Sequence, residues 1–199
     1  MNEVRVKNTG LRGVTVADTK ISFIDGEKGI LLYRGYRIEE LAEKSSFLEV
    51  AWLLLHDDLP DEKDLKSFTT EIARARELPG VVLECLKKLP AQATPMDVLQ
   101  FAVPLLGVSD PDLSDDTREG NVRKAVALIA RMPVMMAAWH RTRNGLELLH
   151  ADDGLSHAAN FLRQLQGKKP DPEIARDLDI CLLLHADHTF NASTFACRE

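Results

Sequence analysis

Ala125-Val-Ala-Leu-Ile-Ala-Arg131-Met-Pro133-Val-Met-Met-Ala-Ala-Trp139 carries one charge and lies inside a helical pattern predicted over about 115–143, closed by Asn144-Gly145. A helix this apolar on all sides has to be buried against other helices or against another subunit. Pro133 removes a backbone donor and crowds the preceding turn, so a kink is predicted there. Met132, Met135 and Met136 read as adaptable core filler. Arg131 and Pro133 interrupt the stretch well short of about 18 continuous apolar residues, so no membrane span is predicted.

Helical spacing continues on both sides. Thr94-Pro95 is an N-cap followed by proline at the first helical position, opening a helix through about Leu106. Pro79-Gly80 starts a short helix reading Val82, Leu83 and Leu86, and Asp61 caps one through about Glu77 on a Leu65, Phe68, Ile72 and Ala75 stripe. Ser45 or Ser46 caps a helix carrying Phe47, Leu48, Val50, Ala51, Leu54 and Leu55, and Ile38, Leu41 and Ala42 share a face before it. Two further helices are predicted at about 155–166 and 172–188, separated by Gly167-Lys-Lys-Pro170-Asp-Pro172.

The strand signals are confined to 13–36: Val14-Thr-Val16, Ile21-Ser-Phe-Ile24, the turn Asp25-Gly26-Glu-Lys-Gly29, and Ile30-Leu-Leu-Tyr33. No repeat, low-complexity tract or long linker divides the chain. The fold class is therefore mostly α: one multi-helical unit with a small N-terminal β-hairpin.

The 199 residues are 45% hydrophobic and 28% charged, which excludes the disordered class. The net charge is −6 and no Lys/Arg block exceeds two residues, so no nucleic-acid partner is expected. Cys85, Cys181 and Cys197 are odd in number and lack a C-x-x-C spacing, which suits reduced thiols in a cytoplasmic setting without structural zinc. The start, Met-Asn-Glu-Val-Arg-Val-Lys, has no apolar signal region. Asn191-Ala-Ser193 matches a glycosylation acceptor only by chance in that setting.

Candidate chemistry gathers at the far end, in Cys181-Leu-Leu-Leu-His185-Ala-Asp187-His188-Thr-Phe-Asn191. If 173–188 is helical, His185 and His188 share a face and Asn191 extends the stripe. Three readings follow from residue chemistry alone. The pair can be a buried, structurally satisfied couple, a substrate-holding group, or two imidazoles and a carboxylate on a divalent ion. Against the metal, the other histidines (His56, His140, His150, His157) fall in loop-like or helix-end contexts and supply no further ligands. Arg34, Arg37, Arg141 and Arg143 lie near turns and helix ends, where such charges are solvated or capping, and receive no catalytic role.

Five ordered strings decide between these readings: Gly10–Gly26, Leu31–Leu41, Thr94-Pro-Met-Asp-Val-Leu99, His140–Gly145, and His185-Ala-Asp-His188 with Asn191-Ala-Ser-Thr194. In order and spacing they are similar to the N-terminal half of citrate synthase. The resemblance implies a multi-helical large domain, with residues 1–199 a partial large domain that lacks the small domain and the rest of the large one. It also implies a homodimer joined through helices at about 95–106 and 115–143. The implied reaction condenses acetyl-CoA with oxaloacetate, acetyl-CoA being a substrate and no cofactor or metal being required. His188 matches the family histidine that hydrogen-bonds oxaloacetate, with His185 and Asn191 as pocket wall and Asp187 as support behind them. The family's Gly-Pro-Leu-His-Gly and Pro-Gly-x-Gly-His blocks and its catalytic Asp are not found, so no complete catalytic set is expected and the chain alone is expected to be inactive. Thr189-Phe190 departs from the commoner family pairs. A 2-methylcitrate synthase, a non-catalytic dimerisation module and one half of a split enzyme are the alternatives.

Overall fold

The computed structural model describes residues 17–198, which leaves the Val14–Val16 strand signal outside the described residues. Three short strands open the chain: β1 (Ser22–Asp25), β2 (Ile30–Tyr33) and β3 (Tyr36–Arg37), antiparallel and in that order. Nine helices follow among the described residues: α1 (Ile38–Lys44), α2 (Phe47–His56), α3 (Glu62–Ala75), α4 (Gly80–Lys88), α5 (Pro95–Val108), α6 (Arg118–Arg143), α7 (His157–Gln166), α8 (Pro172–Leu184) and α9 (Ala192–Arg198). The mostly α reading holds, and the hairpin gains a third strand.

That third strand turns on Arg34 and Gly35, both in the left-handed region at φ 49° and 90°. A two-residue hairpin loop with positive φ at both positions ordinarily selects Asn-Gly. Arg34 tolerates the strain because its guanidinium is held at both ends, donating to the Leu54 carbonyl at 3.0 Å and pairing with Asp57 at 2.8 Å.

Helix starts follow the local chemistry. Ser46 and Glu49 form a capping box on α2, as do Thr94 and Asp97 on α5, and the Asp61 side chain accepts from Asp64 N–H at the start of α3. The α6 helix begins later than predicted. Asp115 accepts from both the amide and the hydroxyl of Thr117, and Thr117 in turn caps Gly120 N–H, so the preceding residues are spent on the cap.

Two cores meet along α6. Its first half, through Val126 and Ala130, packs with Leu48 and Ala51 of α2 and Phe68 and Ile72 of α3. Its second half, through Met135, Ala138 and Trp139, packs with Val82 and Leu86 of α4 and Val98, Ala102 and Leu106 of α5. The helix is continuous through Pro133. Its all-round apolar surface is only partly used within the chain: Leu128 and Met132, one helical turn apart, remain exposed.

The α8 helix is fastened to the start of the chain. Arg176 donates to the Ala42 carbonyl at 2.8 Å and the Ser45 carbonyl at 3.0 Å, taking up acceptors at the end of α1. Asp179, buried and with its carboxyl pushed up by that burial, accepts the first amide of α2 from Phe47 at 2.9 Å.

Beside this junction His157 is buried, with its ring 5.4 Å from that of Phe47 and Nδ1 without a partner. Burial, and then the nearby Arg76 charge, push its pKa down to about 4. The unfolded chain therefore binds a proton that the folded chain refuses between pH ~6.5 and ~4, so this contribution to stability is lost as pH falls through that window. Asp179, shifted upward, opposes the slope. Urea unfolding at pH 7, 5.5 and 4 is expected to show the His157→Leu variant sparing about 3 kcal/mol of the parent's acid-induced loss; parallel curves for the two proteins would remove His157 as its source.

Candidate functional site

The run 185–191 bridges α8 and α9, and a hydroxyl from far upstream shapes it. Tyr33, wholly buried on β2, donates to the Asp187 carbonyl at 2.7 Å, lies 3.2 Å from the Leu184 carbonyl, and accepts from Asp187 N–H at 3.2 Å. Burial pushes the Tyr33 phenol pKa up, which keeps it protonated as a donor. The Asp187 carboxylate accepts from Ser22 Oγ at 3.0 Å and from Thr189 N–H at 3.1 and 3.3 Å, with Thr189 left-handed at φ 72°.

These bonds stop α8 at Leu184, four residues before the predicted end. His185 and His188 therefore do not share a helical face, and both rings are exposed rather than buried. His185 sits at the helix C-cap, its Nδ1 2.7 Å from the Cys181 carbonyl, so one ring nitrogen serves its own helix end. His188 faces solvent, with Nε2 at a long 3.5 Å from Asn191 Nδ2. Asn191 Oδ1 accepts Thr194 N–H at 2.7 Å and so caps α9, while Phe190 meets Phe195 edge-on at 6.2 Å in a hydrophobic staple across that cap.

The four predicted residues thus occupy one turn, with different partners. His188 and Asn191 touch each other; His185 turns back to α8; Asp187 ties the turn to β1. Among the described residues no three His, Cys, Asp or Glu side chains stand close enough to hold a metal ion. Sequence reading missed Ser22 and Tyr33, whose hydroxyls look ordinary in a strand pattern and reach Asp187 across 165 and 154 residues. It also took Arg141 for a solvated or capping charge. Arg141 is buried, its Nε donating to the Glu147 carbonyl and its Nη1 to the Gln164 carbonyl at 3.3 Å, because the chain after α6 folds back over the helix end.

The family model described as "Citrate synthase, C-terminal domain" matches residues 10–199. A citrate synthase from Synechocystis is 41% identical over 198 residues, covering 100% of this chain and 50% of that protein. The crystal structure of citrate synthase from Pyrobaculum aerophilum superposes with a TM-score of 0.88 at 40% identity, covering 98% of this chain and 54% of the other. A citrate synthase from Thermoplasma acidophilum, in ternary complex with carboxymethyl coenzyme A and oxaloacetate, superposes with a TM-score of 0.86 at 26% identity, over 92% of this chain and 48% of the other. Relatives described as 2-methylcitrate synthases match as well. The chain spans about half the length of the curated relatives it matches.

The Tyr33 hydroxyl carries the turn, so its loss has a defined signature. Tyr33→Phe leaves the Asp187 and Leu184 carbonyls without that donor and is expected to cost about 1–3 kcal/mol in urea unfolding. It should also speed hydrogen exchange at Thr189 N–H. Unchanged exchange there would show that the turn is held by something else.

Proposed function

The chain belongs to the citrate synthase family, and on that premise we propose that its 185–191 turn forms one wall of an oxaloacetate pocket in an enzyme that condenses oxaloacetate with acetyl-CoA. The observation that carries this reading is the family relative holding oxaloacetate beside a coenzyme A analogue, whose fold this chain follows over 92% of its length. His188, exposed on the turn, is the residue available to an incoming anion.

The long 3.5 Å contact to Asn191 favours one tautomer of His188. Asn191 Oδ1 is committed to Thr194 N–H, so the amide nitrogen faces His188 Nε2 as donor. A neutral His188 then carries its proton on Nδ1, and Nδ1–H is the group offered to a substrate oxygen. His185 closes one side of the wall, and Asp187 keeps the turn in register with β1.

Proton abstraction from acetyl-CoA needs a base and an acid placed together in a dry site. Among the described residues no such pair stands in a dry site around this turn, and we assign both to a second half of the enzyme. It calls for no cofactor. We also assign a homodimer through α5 and α6, because Phe101 and Val108 on one and Leu128 and Met132 on the other leave apolar surface uncovered. No helix among the described residues is long and apolar enough to cross a membrane, and the odd number of cysteines, without a C-x-x-C spacing, is the ground for reading a cytoplasmic enzyme.

Thiol release from acetyl-CoA and oxaloacetate is the direct assay. The 199 residues alone are expected to be silent, and addition of a complementary half to restore turnover; turnover by this chain alone would overturn the assignment of acid and base. In the restored enzyme His188→Ala is expected to raise the KM for oxaloacetate at least about tenfold, and an unchanged KM would remove it from the pocket. Faster release from propionyl-CoA would favour the 2-methylcitrate reading. By sedimentation the chain is expected to associate, with Met132→Glu shifting it toward monomer; a monomeric parent contradicts the α5–α6 interface.

A further inference from the structure

A cavity of about 400 Å3 lies away from the 185–191 turn, between the end of α3, α4, the second half of α6 and the segment leading to α7. Leu78, Leu83, Val134 and Leu148 make much of its wall apolar, and two arginines, Arg76 and Arg141, are among the residues that line it. Both are buried, Arg76 at 7% exposure and Arg141 at 8%.

Arg76 is poorly paired for so buried a charge. Among the described residues its one ionic contact is Asp153 at 3.9 Å, beyond hydrogen-bond distance, and that side chain is 83% exposed. Among the described residues no hydrogen bond is made by the Arg76 guanidinium. Burial pushes its pKa down, as expected for a cation short of counter-charge. Arg141 spends Nε and Nη1 on backbone carbonyls and leaves Nη2 without a partner. Glu77, the one acid in the lining, is exposed and pairs with neither, whereas Arg74 and His150 add basic groups. A cavity with apolar walls and an under-neutralised guanidinium has the two halves of a binding site for an amphipathic anion.

We propose that this cavity binds a small organic carboxylate, its head on the free face of Arg76 beside Arg141 Nη2 and its body against Leu78, Leu83, Val134 and Leu148. The guanidinium fork matches a planar carboxylate with two parallel hydrogen bonds. One free fork and one spare N–H suit a single negative charge, and a phosphate dianion would be left short of donors. The volume fits a compact ligand, at the small end of ordinary pockets.

Benzoate, inorganic phosphate and chloride at matched ionic strength test this by calorimetry and thermal unfolding of the chain. Benzoate is expected to bind saturably at one site and to raise Tm above the chloride control. Arg76→Met should weaken benzoate at least about tenfold and, by removing an unpaired buried charge, should not lower the ligand-free Tm. Leu83→Trp fills the cavity while leaving both arginines in the sequence and should abolish binding. Benzoate acting no differently from chloride, or binding that survives both substitutions, overturns the site. Saturable phosphate binding with benzoate silent overturns the carboxylate assignment.

Discussion

Arg176 and Asp179 close the chain on itself. Between them, one turn of α8 takes up carbonyls at the end of α1 and the first amide of α2, so the α1–α2 corner is closed by a helix more than a hundred residues downstream. The groups satisfied are backbone ones that neither short helix can satisfy internally. Losing the clasp would leave those backbone groups unsatisfied at a corner where α8 also packs through Leu183. The Tyr33 hydroxyl performs the second fixing at the opposite tip of α8, so a turn rich in polar side chains is held by backbone contacts. Of its side chains, His188 is the one left exposed toward solvent or substrate with only a long contact to Asn191.

The division of labour around α6 explains how the rest of the body supports this arrangement. One half of α6 joins α2 and α3, the other joins α4 and α5, and Arg131 between them donates to the Ala75 and Glu77 carbonyls at 3.0 Å each. The one charge in the apolar stretch therefore terminates α3. What the single chain does not use is the Leu128–Met132 edge, exposed as Phe101 and Val108 of α5 are.

Much of the fold was legible because it is locally encoded. Ser46, Asp61 and Thr94 cap the helices expected of them, since a cap needs only its next three residues. Features governed at a distance were not legible. The early end of α8 depends on a tyrosine 151 residues away, the Arg34 turn on Leu54 and Asp57, and the burial of Arg141 on the path of the chain after α6. The candidate site shows the same divide. Its residue types stood in the sequence, and family resemblance gave His188 its meaning, but the local pattern implied a buried histidine stripe on one helix. A hydroxyl on β2 and a carboxylate bonded to β1 turned that stripe into an exposed corner.

The reach of these contacts has a consequence for the order of assembly. Ser22 and Asp187 are 165 residues apart, and the clasp from Arg176 spans 131 and 134. Contacts of such separation repay their loop-closure entropy late, after the nearby helix pairs have formed. During synthesis the β-sheet and α1–α6 leave the ribosome well before their last partner. The turn that carries His188 thus acquires its shape after the α1–α6 pairs, and β1, β2 and the α1–α2 corner wait until then with their acceptors open to water.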